Sequence, residues 1–170
     1  MQVKTFTLPK SETYVNIILP SIAFFLPFIF SGPQLITGSV VNCLLIIASF
    51  KYSKAIWPVI VLPSVAALLH GVVFGQFTPF LVFFLPWIWL GNFILVTSFI
   101  YFKKLVSYPL ALFFSSIIKA VALYSFALIY FHLSLIPKLF LSSMGLFQFI
   151  TAILGGTLAY ILFRFIKSDE

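Results

Sequence analysis

Negative charge is what this sequence has least of. Its acids are Glu12, Asp169 and Glu170, so no carboxylate stands anywhere between positions 13 and 168. That absence excludes the intramembrane carboxylate relays by which pumps move protons or sodium, and it excludes paired-aspartate chemistry within the apolar segments. Cysteine is nearly absent too: Cys43 stands alone, which rules out an internal disulfide and a cysteine-based metal site. There is no H-E-x-x-H, no G-x-x-x-x-G-K-[ST] and no G-x-S-x-G, hence no zinc-hydrolase pair, no nucleotide phosphate loop and no serine elbow. No nucleophile has a base beside it, so the chain is not expected to be an enzyme, and no metal or cofactor is expected. Charged residues of either sign make up only 8% of the chain, against about 25% in soluble domains.

What is there is apolar. The 170 residues are 62% hydrophobic and 19% aromatic, with a mean hydropathy of +1.20. An integral membrane protein is expected. The apolar residues come in long continuous runs rather than in the alternation of barrel strands, which points to helices. At about 20 residues per span the length suits six transmembrane helices with short connections, an all-α fold. The expected organisation is a polar N-terminal tail at 1–13, a six-helix membrane domain at 14–166 and a short C-terminal tail at 167–170.

The spans are expected at about 14–31, 34–50, 55–73, 81–102, 107–131 and 139–166. The first carries Pro20 and Pro27, which bend a helix; being long, proline-broken and without an A-x-A exit, it reads as a retained span rather than a cleaved leader. An SGPQ turn separates it from the second. The third holds Pro58, Pro63 and, near its far end, His70, followed by the uncharged FGQFTPF, which reads as a loop. The Gly71/Gly75 pair is a weak GxxxG and fits a loop boundary as well as a packing face. The sixth span bears a ladder of small residues at Thr151, Gly155 and Ala159, a face suited to close packing on another helix.

The net charge of +7 comes from basic residues scattered in ones and twos beside the spans, without the basic stripe a nucleic-acid reader needs. No nucleic-acid partner is expected. Sorted by side, Lys4, Lys10, Lys51, Lys54, Lys103, Lys104, Arg164 and Lys167 fall with the tails, Lys138 falls opposite, and Lys119 lies inside a span. By the positive-inside rule both termini are cytoplasmic.

Lys119 is the outlier. A lysine at the centre of a transmembrane helix costs about 2.5 kcal/mol or more on insertion scales, and such a residue is read as functional by default. Counting about 1.5 Å per helical residue, Asn42, Asn92, Lys119 and Gln148 share a level in the outer half of the bilayer, with His70 higher. Amides and an ammonium at one level, walled by aromatic residues, are what a pocket for a polar or anionic small molecule needs. The alternative is structural: Asn and Gln serve as interhelical glue worth about 0.6–2 kcal/mol each, with Lys119 bolted to Asn92 or Gln148 oxygens. His70 reads equally as an interfacial packing residue. Trp57, Trp87 and Trp89 read as interface anchors, and His132 as loop.

Six short spans, both ends inside, and the segments ITGSVVNCLL (36–45) and FLPWIWLGNFILV (84–96) resemble the substrate-binding S components of energy-coupling factor vitamin transporters. The resemblance covers most of the chain in topology and these two segments in residue pattern. It implies a multi-pass protein of a bacterial or archaeal plasma membrane that captures a vitamin-like micronutrient at its extracellular face. It further implies a membrane coupling subunit and two cytoplasmic ATPases as partners, with docking through the first helix. Asn42, Asn92, Lys119 and Gln148 would then line the pocket. The family's Ala-x-x-x-Ala docking pattern is absent from the first helix, where Ser21, Ala23 and two prolines stand. Two rivals from other classes are an accessory subunit of a larger membrane complex and a small channel or transporter acting alone.

Overall fold

The computed structural model describes residues 10–30, 34–51, 56–71 and 75–168, with the backbone alone for 10–15, 51, 75 and 165–168. The tail residues 1–9 and 169–170, the turn at 31–33 and Lys54 lie outside the described residues. Every described element is helical: α1 (Lys10–Ile29), α2 (Gln34–Lys51), α3 (Ile56–His70), a 3-10 segment (Gly75–Phe84), α4 (Leu85–Phe102), α5 (Tyr108–His132), α6 (Leu139–Met144) and α7 (Leu146–Ser168). The all-α expectation holds.

Three helical stretches are long and apolar enough to cross a membrane: Gln76–Phe102, Tyr108–His132 and Leu139–Arg164. The apolar parts of α1, α2 and α3 are shorter. α3 has 15 residues, about 22 Å at the helical rise, and it stops where Gly71 takes φ +75, the left-handed conformation a glycine adopts without a Cβ penalty. Gly71 is therefore a helix terminator. The FGQFTPF segment, expected as a loop, is wound from Gly75 onward into ten residues of 3-10 helix that run straight into α4. Such a long 3-10 run is unusual.

The last expected span divides. Gly145 leaves the helical region with φ −101 and ψ −96, separating the six residues of α6 from α7. A Cβ there would lie 2.9 Å from Tyr124 Cδ2 and 3.0 Å from Leu141 O, so the close approach of α5 explains the glycine.

α5 shows how the sequence drives the packing. Ser107 (φ −62, ψ 157) precedes the helix and Pro109 falls in its first turn, where a missing N–H removes no helical bond. The buried residues Ala111, Ser115, Lys119, Leu123 and Ala127 recur every four positions, with Leu112, Ser116 and Ala120 beside them. They form one stripe facing the bundle. The opposite face presents Val121, Leu128 and Ile129, all exposed, an apolar exterior suited to lipid. Ser115 and Ser116, both fully buried, satisfy their hydroxyls on Ala111 O (2.7 Å) and Leu112 O (2.7 Å) within the helix.

α2 packs chiefly on α7, α4 on α5, and α1 on α3. The α2–α7 contact follows from the small-residue ladder: Gly155 lies against the backbone of Ser39 and Cys43, and an added Cβ would come 2.7 Å from Cys43 N. The buried side chains form two apolar clusters. One contains Leu44, Leu45, Ile60, Leu95, Leu112 and Ala152; the other contains Ala67, Phe84, Leu123, Phe140 and Met144. On α3, α4 and α5 the chain passes from one cluster to the other through Ser64, Asn92 and Lys119, so the polar residues form a layer between two cores.

Gly155→Ala is expected to destabilise the protein by about 1–3 kcal/mol, the cost of overpacking against unyielding backbone. The control Leu158→Ala, on the exposed face of α7, should change stability far less. Thermal unfolding in detergent measures both, and an unchanged midpoint for Gly155→Ala would contradict the close α2–α7 approach.

Candidate ligand-binding site

The polar layer is built around Lys119, which is 1% exposed. The four-residue stripe of α5 aims it inward, and Ser115, Ser116 and Ala120 leave room for its stem. Its Nζ donates to Asn42 Oδ1 of α2 at 2.6 Å and to Asn92 Oδ1 of α4 at 2.8 Å. An ammonium only donates, so both amides must present their oxygens to it, which fixes their orientation. Their amide nitrogens then need acceptors of their own. Asn42 Nδ2 donates to Thr151 Oγ1 of α7 at 3.1 Å, and Asn92 Nδ2 donates to Ile60 O of α3 at 3.2 Å. Thr151 in turn donates to Gln148 O at 3.2 Å. One lysine thus orders side chains of α2, α4 and α7 and a backbone carbonyl of α3.

The network does not exhaust the lysine. Two of its three N–H donors are used within the protein, and none meets a carboxylate, because the chain has none between 13 and 168. Beside it opens a cavity of about 90 Å³ lined by Lys119, Asn42, Asn92 and Gln148 together with Gln34, Thr37 and Ser64. Val41, Pro63, Ala67, Leu81, Ile88 and Met144 supply its apolar wall. Gln148 is half-buried, and its amide makes no side-chain hydrogen bond with the described residues. Gln34 Nε2 donates to Ser143 O at 2.9 Å, tying the start of α2 to α6 at the cavity's edge.

Four of the five residues singled out from the sequence therefore come together: Lys119, Asn42 and Asn92 in direct hydrogen bonds, and Gln148 on the same cavity. His70 does not join them. It lies at the end of α3 with its ring edge-on to Phe28 at 5.2 Å, outside the cavity lining, and its buried Nε2 makes no hydrogen bond with the described residues.

Several contributors were not singled out. Thr151 read only as a small packing residue, Gln34 as the first residue of a span, and the Ile60 carbonyl carries no side-chain signal. Trp87 and Trp89, expected as interface anchors, make contacts within the protein. Trp89 Nε1 donates to Ser64 Oγ at 2.8 Å, while Trp87 stacks on Phe126 and donates to Tyr130 Oη at 2.8 Å. Their spacing of two on α4 sends one toward α3 and the other toward α5. No group of three or more metal-ligating side chains occurs among the described residues.

Removing one acceptor from a buried cation leaves an uncompensated charge, at a cost of about 3–5 kcal/mol. Asn42→Leu and Asn92→Leu should each destabilise strongly, and the loss should shrink when Lys119→Met is added to either. Unfolding measured across such a double-mutant cycle checks this; additive effects would mean that lysine and amide act independently. No protein-family model matches the chain, and neither a curated protein nor a solved structure is significantly similar to it, so the chemistry of the site rests on its own geometry.

Proposed function

We propose that the protein is a non-enzymatic, substrate-binding membrane subunit that captures a small polar or anionic micronutrient in the cavity beside Lys119. In this reading six helices cross the plasma membrane, both termini are cytoplasmic, and the cavity opens toward the outside. The observation that carries it is Lys119: a buried lysine Nζ held by two neutral amide oxygens, with a void next to it. Amide dipoles stabilise the ammonium without cancelling its charge, so an anion entering the cavity completes what the protein leaves open.

Three further observations support the arrangement. The basic residues Lys103, Lys104 and Arg164 cluster at one end of the helices, with Lys103 Nζ 3.4 Å over the Phe50 ring. This is the end assigned to the cytoplasm by the positive-inside rule. The chain carries no nucleotide-binding motif, so concentrative uptake requires energy from other subunits. α1 exposes Ile18, Ile22, Phe25 and Ile29, a row at helical spacing that suits a membrane coupling subunit bearing two ATPases.

One observation favours a second reading. The two hydrogen bonds that Lys119 donates to amide oxygens are also what a structural bolt would make, in an accessory subunit of a larger complex. Asn42→Asp separates the two. An aspartate at 42 would pair with Lys119 and accept from the Thr151 hydroxyl, keeping the helices joined while supplying the missing countercharge. A binding subunit should then keep its fold and lose its ligand; a bolt should lose nothing.

The direct test is native mass spectrometry of protein purified in mild detergent. A bound small molecule at near-unit stoichiometry is expected, lost in Asn42→Asp and Lys119→Ala and retained in Lys138→Ala, whose lysine is exposed. Equal effects of the lysine substitutions at 119 and 138 would remove Lys119 from the mechanism. Flux in liposomes without ATPase subunits would favour a transporter acting alone.

A further inference from the structure

Charge, donors and volume at the cavity together narrow its occupant. We infer, on the reading that the cavity is a binding site, that its ligand is a compact monocarboxylate with an apolar body.

Charge comes first. Among the described residues Lys119 is the only charged side chain on the cavity lining. A monoanion beside it leaves a buried site of zero net charge. A dianion would leave one uncompensated negative charge among apolar walls, and a neutral molecule would leave the ammonium as it stands; burying a charge without its partner is the costliest of these outcomes.

The donors on the lining can satisfy both oxygens of a carboxylate. Thr37 Oγ1 donates to Phe30 O and Ser64 Oγ donates to Val61 O, so both hydroxyls are engaged with backbone. What remains is the third N–H of Lys119, the amide of Gln148, and the second N–H of each of Gln34 Nε2, Asn42 Nδ2 and Asn92 Nδ2. A carboxylate presents two acceptor oxygens and is satisfied by Lys119 and Gln148. Sulfate, and phosphate in its dianionic form, carry a second negative charge that Lys119 alone does not balance.

Volume and wall chemistry set the rest. A single water needs about 10–15 Å³ of such space, so a cavity of about 90 Å³ is sized for a small molecule rather than a lone water or ion. A bare halide would leave most of it unfilled against Val41, Ala67, Leu81, Ile88 and Met144. A short aliphatic or single-ring body fills it and removes those side chains from water.

Equilibrium dialysis of the wild-type protein in detergent near neutral pH tests this with benzoate and pentanoate as monocarboxylate probes, benzamide as the neutral counterpart of benzoate, and maleate as a compact dianion. Saturable binding of benzoate or pentanoate is expected, about tenfold or more tighter than benzamide or maleate, and lost in Lys119→Met but not in Lys138→Ala. The wild-type comparison stands even where Lys119→Met fails to fold. Benzamide binding as well as benzoate, or maleate binding more tightly, would overturn the monocarboxylate inference and leave the cavity a binding site. Should no probe bind, the molecule released from purified protein decides: a monocarboxylate sustains the inference, and any other ligand overturns it while the binding function stands. No probe and no released molecule would overturn both.

Discussion

An ammonium enclosed among hydrocarbon side chains must have oxygen around it, and this chain supplies that oxygen without supplying negative charge. Neutral amides were the available means. Each accepts from Lys119 with one end and must donate with the other, so satisfying one lysine obliges Thr151 Oγ1 and Ile60 O to face inward as well. The requirement propagates from helix to helix. It explains why α2, α3, α4, α5 and α7 meet at one level, and why the two apolar clusters are separated by a polar layer instead of merging.

The same arrangement sets a boundary between support and site. A carboxylate in place of either asparagine would have closed the electrostatics internally, and the lysine would have no further call on its surroundings. With amides the hydrogen bonding is mostly met and the charge is not. Shape follows a similar division: the α2–α7 seam is pinned by Gly155 against backbone, whereas part of the cavity wall, at Leu81 and Met144, belongs to separate pieces, the 3-10 segment and the six residues of α6, which meet through the stacked rings of Phe84 and Phe140 at 5.3 Å.

How much of this was legible in the sequence depended on which physical rule each feature obeyed. The helical class and the shared level of Asn42, Asn92, Lys119 and Gln148 follow from run length and a constant rise per residue, both of which survive folding. His70 obeyed the same count but turned toward Phe28, since depth along a helix says nothing about rotation around a neighbour. The 3-10 segment was hidden because Gly75 and Pro79 are ordinary loop residues, and their winding comes from packing on α3 and α4. The break at Gly145 was hidden because a lone glycine in an apolar run is common; what singles it out is the ring of Tyr124 on another helix. The Ile60 carbonyl was illegible in principle, every residue having one. The four-residue stripe of α5, by contrast, was there to be read, and it already aims Lys119 inward.

Trp89 connects this layer to something measurable from outside. Its indole N–H is committed to Ser64 Oγ, on the cavity lining, whereas Trp57 is stacked on Phe93 and Trp87 on Phe126. An indole's emission follows the polarity and hydrogen bonding at its ring nitrogen, so of the three indoles one is wired to the cavity wall and two are not. The protein carries its own optical gauge of whether that void is filled.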